Sequence, residues 1–216
     1  MLSSNKLRVA GFTTLVPINT VIVDEASQIE IGDYLPLLHL FKPTLRKLVF
    51  IGDDKQLAPY GQDDLGDLRS IFEIPHLRQG AIFLDTQYRM PRPIGDFISR
   101  HMYKGQLKTV HAISDRSSCR LVDVPNGKEK QSGKSWVNLE EVKAVMHIAR
   151  RCVQQSRNFR IITPYDPQRA ALERELQVAK LPWEDKCFNV DSFQGNEDDT
   201  IIISCVRTQK VGFLKN

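Results

Sequence analysis

The sequence predicts an α/β protein with mainly parallel sheets flanked by helices. Three observations carry this expectation. Short, β-branched apolar runs recur along the chain, each run is followed at once by polar or turn residues, and amphipathic helical stretches fill the gaps. The runs cover residues 20–23, 47–51, 81–84, 119–124, 159–163 and 200–204. Most are too continuous for half-exposed strands, so strands buried on both faces are expected.

The strongest helical pattern begins at Asn138, where Leu139, Val142, Val145, Met146, Ala149, Cys152 and Val153 form one apolar stripe. Asn138 can cap this helix, and Glu141 completes a capping-box pattern. A second helix is expected after Tyr165, with Asp166 as cap, Pro167 at the first helical position and Ala170, Leu172 and Leu176 on its apolar side. Weaker helical patterns cover 34–41, 65–72 and 94–102. A domain boundary is expected near 77–80, dividing the chain into 1–78 and 79–216, and the polar stretch 126–135 reads as a surface loop.

Composition narrows the class. Of 216 residues, 41% are hydrophobic and 26% charged, which suits a core-forming globular protein. No apolar stretch reaches the roughly 18 residues needed to span a bilayer, and no basic segment followed by a long apolar run opens the chain. Cys119, Cys152, Cys187 and Cys205 lack metal-ligand or redox spacing, so reduced thiols in a cytoplasmic or nuclear protein are expected. The net charge of +4 is compatible with a polyanionic partner.

Five motifs adjoin the apolar runs, four of them just after a run, where active residues of such folds sit, and the fifth just before the last. Val21-Ile22-Val23-Asp24-Glu25 ends a strand in two carboxylates, one suited to Mg²⁺ and the next to an attacking water. An acidic strand-to-loop turn is the plainer alternative. Gly52-Asp53-Asp54-Lys55-Gln56-Leu57 ends the next strand, and Gln56 can offer a donor and an acceptor to a phosphate and its water. A simple Gly-Asp turn would also explain it. In Gln87-Tyr88-Arg89, Arg89 could neutralise phosphoryl charge and Tyr88 could stack on a base, or the segment is an amphipathic connector. Ile162-Thr163-Pro164-Tyr165 could present Thr163 and a helix start to a nucleic-acid phosphate, or be a plain strand-to-helix junction. The polar cluster Asp191-Ser192-Phe193-Gln194-Gly195-Asn196-Glu197 could touch a ribose and a nucleic-acid backbone, or be a loop between strands.

In this order and spacing the set resembles the superfamily 1 helicases, and within them the up-frameshift-like group, which includes the RNA helicase of nonsense-mediated decay. Ser204-Cys205-Val206-Arg207 and Gly212-Phe213-Leu214 extend the likeness, which runs from Arg8 almost to the end. The resemblance implies two RecA-like α/β domains of the P-loop NTPase type with ATP between them. It implies that Asp24 holds Mg²⁺, Glu25 activates water, Gln56 senses the γ-phosphate and Arg89 contacts it. Tyr88 would stack on adenine and Glu197 would meet the ribose. Thr163, Ser192 and Gln194 would lie towards single-stranded nucleic acid, RNA ahead of DNA, and protein partners are also compatible.

The pattern is incomplete in two respects that matter, the phosphate loop and a final arginine motif. No Gly-x-x-x-x-Gly-Lys-Ser/Thr loop occurs, and in the nearest look-alike, Gly133-Lys134-Ser135, the earlier glycine is replaced by Lys128. The first domain is therefore expected to be truncated and the second to lack its last elements, including a final arginine motif. The isolated chain is expected to hydrolyse ATP negligibly. A non-catalytic nucleic-acid or protein binding module is the alternative reading. A different P-loop ATPase or nuclease is disfavoured by the third and fifth motifs together.

Overall fold

A computed structural model describes residues 4–211, apart from the side chains of Asp63 and Asp64. The Gly212-Phe213-Leu214 part of the resemblance lies outside the described residues. The chain divides into two compact units, Met1–Arg120 and Leu121–Asn216. The boundary expected at 78/79 falls inside the first unit, because segments after it bond back to residues before it. The Tyr103 hydroxyl, beyond the boundary, donates to the Asp53 carboxylate before it.

The first unit opens with two short helices, α1 (Asn5–Val9) and α2 (Phe12–Leu15). Strand β1 (Thr20–Val23) runs parallel to β2 (Lys47–Phe50), with Val23 opposite Phe50 and α3 (Leu35–Phe41) in the connection between them. Beneath them, Ala26, Tyr34 and Ile71 are buried with Val23, Phe50 and Phe72 packed against them, and Tyr34 meets Phe50 edge-on at 5.3 Å. The helix expected over 65–72 is broken. Gly66 adopts φ +65° and closes α4 (Gln62–Leu65), and a separate 3-10 turn over Ile71–Glu73 starts from a capping box on Ser70. Helix α5 (Pro75–Gln79) follows. Strand β3 (Thr86–Gln87) pairs in parallel with β4 (Lys108–Thr109), joined through α6 (Arg92–Met102).

The second unit holds a three-stranded parallel sheet of β7 (Arg160–Ile162), β8 (Cys187–Phe188) and β9 (Ile201–Ile203), with β7 central. Helices α7 (Leu139–Gln154) and α8 (Asp166–Val178) pack on it, and a four-residue helix, α9 (Val190–Phe193), follows β8. Asn138 caps α7 as expected, accepting from the Glu141 amide at 3.3 Å. Val142, Val145, Met146, Ala149 and Cys152 are buried, whereas Leu139 and Val153 at the stripe's ends are exposed. On α8 the buried line is Gln168, Leu172 and Leu176, each fully buried, and Ala170 faces solvent. Tyr165 is the capping position, which moves Asp166 into the first turn and Pro167 behind it. The Asp166 carboxylate instead accepts from Asn189 at 2.7 Å.

Several expected strands differ. Residues 81–84 and 119–124 form no strand, and Ile82, Leu84 and Leu121 are 87%, 75% and 100% exposed. A strand exists through its ladder, and among the described residues no neighbouring strand pairs with either run. The strands that do form are not buried on both faces either: Ile22 is 64% and Ile203 66% exposed. Part of the loop expected over 126–135 is a hairpin, β5 (Lys130–Ser132) with β6 (Ser135–Val137), turning at Gly133 with φ +61°. Ser135 already pairs with Ser132. The Gly133-Lys134-Ser135 look-alike is therefore a hairpin turn and opens no helix that could hold a phosphate.

A buried polar network joins α7, α8 and the end of β9. Gln168 accepts from the Asn138 amide at 2.8 Å and donates to the Asn138 carbonyl at 3.2 Å and to the Ser204 hydroxyl at 2.9 Å. Ser204 donates onward to Glu141 at 2.6 Å, and Glu141 also accepts from the Val206 amide at 2.9 Å. Gln168→Leu strands these buried groups and should cost about 2–3 kcal/mol in denaturant unfolding of the chain. Beside this network, Arg207 stacks on Trp136 at 4.2 Å and forms two bonds to Glu129, at 3.0 and 3.2 Å. Glu129, its side chain 5% exposed, also accepts from the Thr208 amide. Hydrogen bonding from Arg207 and then from the Thr208 amide holds its pKa at about 2, against an ordinary 4.5. Glu129 therefore stabilises the fold above its unfolded pKa, and that contribution is lost as pH falls towards about 2. Glu129→Gln should lower the melting temperature at neutral pH, with the gap to wild type closing across that acid window.

Candidate nucleotide site

The site grows from the carboxyl ends of β1 and β2. Their ladder continues past the strands, with the Ile51 amide donating to the Val23 carbonyl at 2.8 Å and the Ala26 amide to the Ile51 carbonyl at 2.9 Å. This lays Asp24-Glu25 alongside the Gly52–Gln56 loop. Asp24 and Glu25 are both exposed. Asp24 accepts from the Glu25 amide at 2.9 Å through one oxygen, leaving the other towards solvent. Glu25 sits in the left-handed region with φ 51° and ψ 37°, which for a non-glycine residue costs on the order of 1 kcal/mol. Its carboxylate accepts from Gln28 at 3.1 Å.

Gly52 explains why the two loops can lie so close. A Cβ there would stand 2.8 Å from the Phe72 ring, 2.9 Å from the Ser27 amide nitrogen and 3.0 Å from that of Ala26. Two of those neighbours are backbone and cannot swing aside. Beyond Gly52 the chain turns on Asp53, whose carboxylate accepts from the Lys55 amide at 3.0 Å and the Gln56 side chain at 2.9 Å. Asp54 faces Arg78 at 2.9 Å and Lys55 at 3.5 Å. Gln56 itself is exposed.

The Gln87-Tyr88-Arg89 segment belongs to the β3–β4 pair. Gln87 is structural: it donates to the Met90 carbonyl at 3.0 Å and to Thr109 at 2.9 Å, and accepts from the Met90 amide at 2.8 Å. That closes a turn which pushes Tyr88, 68% exposed, and Arg89 outward. No group of three or more His, Cys, Asp or Glu side chains among the described residues could enclose a metal. Mg²⁺ does not require one, because it is commonly held by one or two carboxylates together with water and substrate phosphates. The exposed, half-committed Asp24 carboxylate fits that donor set.

In the second unit the expected residues fare unevenly. Thr163 is fully buried and its hydroxyl has no partner among the described residues. Its place at the end of β7, whose amide donates to Phe188 at 3.0 Å, turns the side chain inward. Ser192 is exposed, but its hydroxyl is engaged with the Asn189 amide and carbonyl at 2.9 and 3.1 Å. Gln194 is half-buried, with its amide nitrogen enclosed and unpartnered among the described residues. Glu197 is exposed. Arg160 organises this loop, donating to Asn196 at 2.9 Å and pairing with Asp198 at 3.4 Å. Arg160 and Tyr103 are the contributors that motif reading missed, since neither lies inside a motif.

The parallel strand pairs, the three-stranded parallel sheet and the helices beside them are those of a RecA-like helicase core fragment. A family model described as an AAA domain matches residues 68–216, and the chain belongs to that family, as part of a superfamily 1 helicase core of the up-frameshift-like kind. Among its relatives is the probable helicase senataxin of Homo sapiens, 33% identical over 92% of this chain and 9% of senataxin. An uncharacterized ATP-dependent helicase of Methanocaldococcus jannaschii is 30% identical over 92% of this chain and 33% of its own length. Regulator of nonsense transcripts 1 of Dictyostelium discoideum is 31% identical over 91% of this chain and 17% of the regulator. The chain thus spans a third or less of these relatives.

Gly52→Ala tests the close approach of the two loops. It should destabilise the chain by about 1–3 kcal/mol in denaturant unfolding, because backbone must move to admit one methyl group.

Proposed function

We propose that this chain is the ATP-hydrolysing part of a helicase that couples ATP turnover to movement along single-stranded nucleic acid, RNA ahead of DNA. The observation that carries the reading is the placement of Asp24, Glu25 and Gln56 on the adjoining carboxyl ends of two parallel strands. Active groups collect at such ends.

Water attacks the γ-phosphorus of ATP, the bond to the β-phosphate oxygen breaks, and ADP leaves. Glu25 takes the proton from that water. Mg²⁺, held through Asp24, would supply charge neutralisation on the phosphate oxygens. Gln56 offers an amide to the terminal phosphate and its water. Arg89 balances negative charge that builds on the phosphoryl group, and Tyr88 gives adenine an aromatic face. Glu197 accepts from the ribose hydroxyls. Ser192 and Gln194 border the nucleic-acid path. A cytoplasmic or nuclear setting is consistent with four free thiols.

The 216 residues contain the carboxylates for metal and water but no phosphate loop. By themselves they are proposed to bind ATP weakly and to turn it over negligibly. We propose that a longer protein containing this chain supplies the phosphate loop, and the test compares single-strand-stimulated ATP hydrolysis by that full-length protein, its Glu25→Gln variant and the 216-residue chain. Glu25→Gln should reduce turnover by about a hundredfold or more while nucleotide still binds. Turnover by the full-length protein that is unaffected by Glu25→Gln sinks the mechanism. Absence of any turnover, with nucleic-acid binding intact, favours a non-catalytic binding module.

A further inference from the structure

The residue that ties the two candidate segments of the first unit together lies outside every motif. Tyr103 directly follows α6, the helix that starts three residues after Arg89. Its ring is half-buried and lies 6.2 Å from Phe83, and its hydroxyl donates to the Asp53 carboxylate. The same carboxylate oxygen accepts the Gln56 side-chain amide at 2.9 Å. Tyr103 and Gln56 therefore meet on one atom. Burial and the Asp53 bond raise the Tyr103 pKa, so the phenol stays a donor throughout the neutral range.

The helix between them is anchored firmly. A Cβ on Gly95 of α6 would collide with the Thr109 hydroxyl of β4 and lie 2.6 Å from the Gln87 amide. Ser99 donates to the Leu107 carbonyl at 2.7 Å. Helix α6 is thus fixed to the β3–β4 pair that carries Tyr88 and Arg89, and its far end reaches the loop that carries Gln56.

We propose that Tyr103 is a positioning residue: through Asp53 it holds the Gln56 side chain in register with the Tyr88–Arg89 segment. This rests on the ATP-hydrolysing reading for its consequence, though not for the contact itself. Asp53 without the phenol still has the Lys55 amide and water, but Gln56 then has no fixed companion on that oxygen. Its amide samples orientations away from the phosphate.

Two measurements test this separately. In the 216-residue chain, Tyr103→Phe keeps the ring against Phe83 and should shift and broaden the Gln56 side-chain amide resonances while the chain still folds cooperatively at a somewhat lower melting temperature. Phe83→Leu, which removes the ring contact but not the hydroxyl, should leave those resonances in place. Should Tyr103→Phe not fold, difluorotyrosine at position 103 preserves ring and hydroxyl but ionises at lower pH. The Gln56 resonances should then follow the phenol's titration, with Asp53 and Asp54 the charges facing it. In the full-length protein, Tyr103→Phe should lower kcat for ATP about tenfold or more at little changed KM. Gln56 resonances indifferent to the hydroxyl overturn the contact, and an unchanged kcat overturns the positioning role. A wild-type protein that turns over no ATP overturns the helicase reading, while the resonances still decide the contact.

Discussion

The close approach of two backbones at Gly52 is the constraint on which the candidate site depends. Parallel β1 and β2 bring their carboxyl ends side by side, but strand pairing alone would leave the loops beyond them free to diverge. They stay together because the ladder runs on to Ala26 and Ile51, and because position 52 carries no side chain to separate it from Ala26 and Ser27. Asp24-Glu25 and the Gln56 loop are neighbours as a result. The left-handed Glu25 is part of the same arrangement: the chain must turn sharply there to bring Ala26 back under Ile51. The backbone strain at Glu25 is offset by the contacts on either side.

The second unit is held by a different device. Its apolar core is ordinary in kind, with α7 and α8 covering a three-stranded parallel sheet. What aligns the helices with the strand ends is polar: buried Gln168, Asn138 and Ser204 and half-buried Glu141 satisfy one another. Such a network is costly if any member is missing and specific when all are present. It also accounts for why Ser204 and Arg207, which resemble a family motif, look inward in this structure. Ser204 bonds to Gln168 and Glu141, and Arg207 is sandwiched between Trp136 and Glu129. Their immediate role is to hold the fold.

Exposure shows which groups can meet a ligand. Asp24, Glu25, Gln56, Tyr88 and Arg89 of the first unit reach solvent, as does Glu197 of the second. Thr163 does not, and Ser192 is occupied by its own turn. The nucleic-acid side of the reading is therefore carried by fewer residues than motif matching suggests. In the first unit, Asp53 gathers Gln56 and Tyr103 on one carboxylate.

The sequence by itself determined the α/β class, the strands β1, β2, β7 and β9, the capped helix α7 and the motif order that marks a helicase core. These rest on local signals: β-branched runs, 3.6-residue periodicity and capping residues act within a few positions of themselves. Tertiary structure decided the rest. Runs 81–84 and 119–124 are as apolar as the strands that formed, yet pairing requires a neighbour that no local pattern can supply. Ala170 faces solvent and Gln168 is buried because burial on α8 follows what the helix faces, and a glutamine with every polar atom satisfied can be buried. Thr163 turned inward at the end of a central strand. Tyr103 had no motif to announce it, because its role depends on a carboxylate 50 residues away in sequence, and only folding brings the two together.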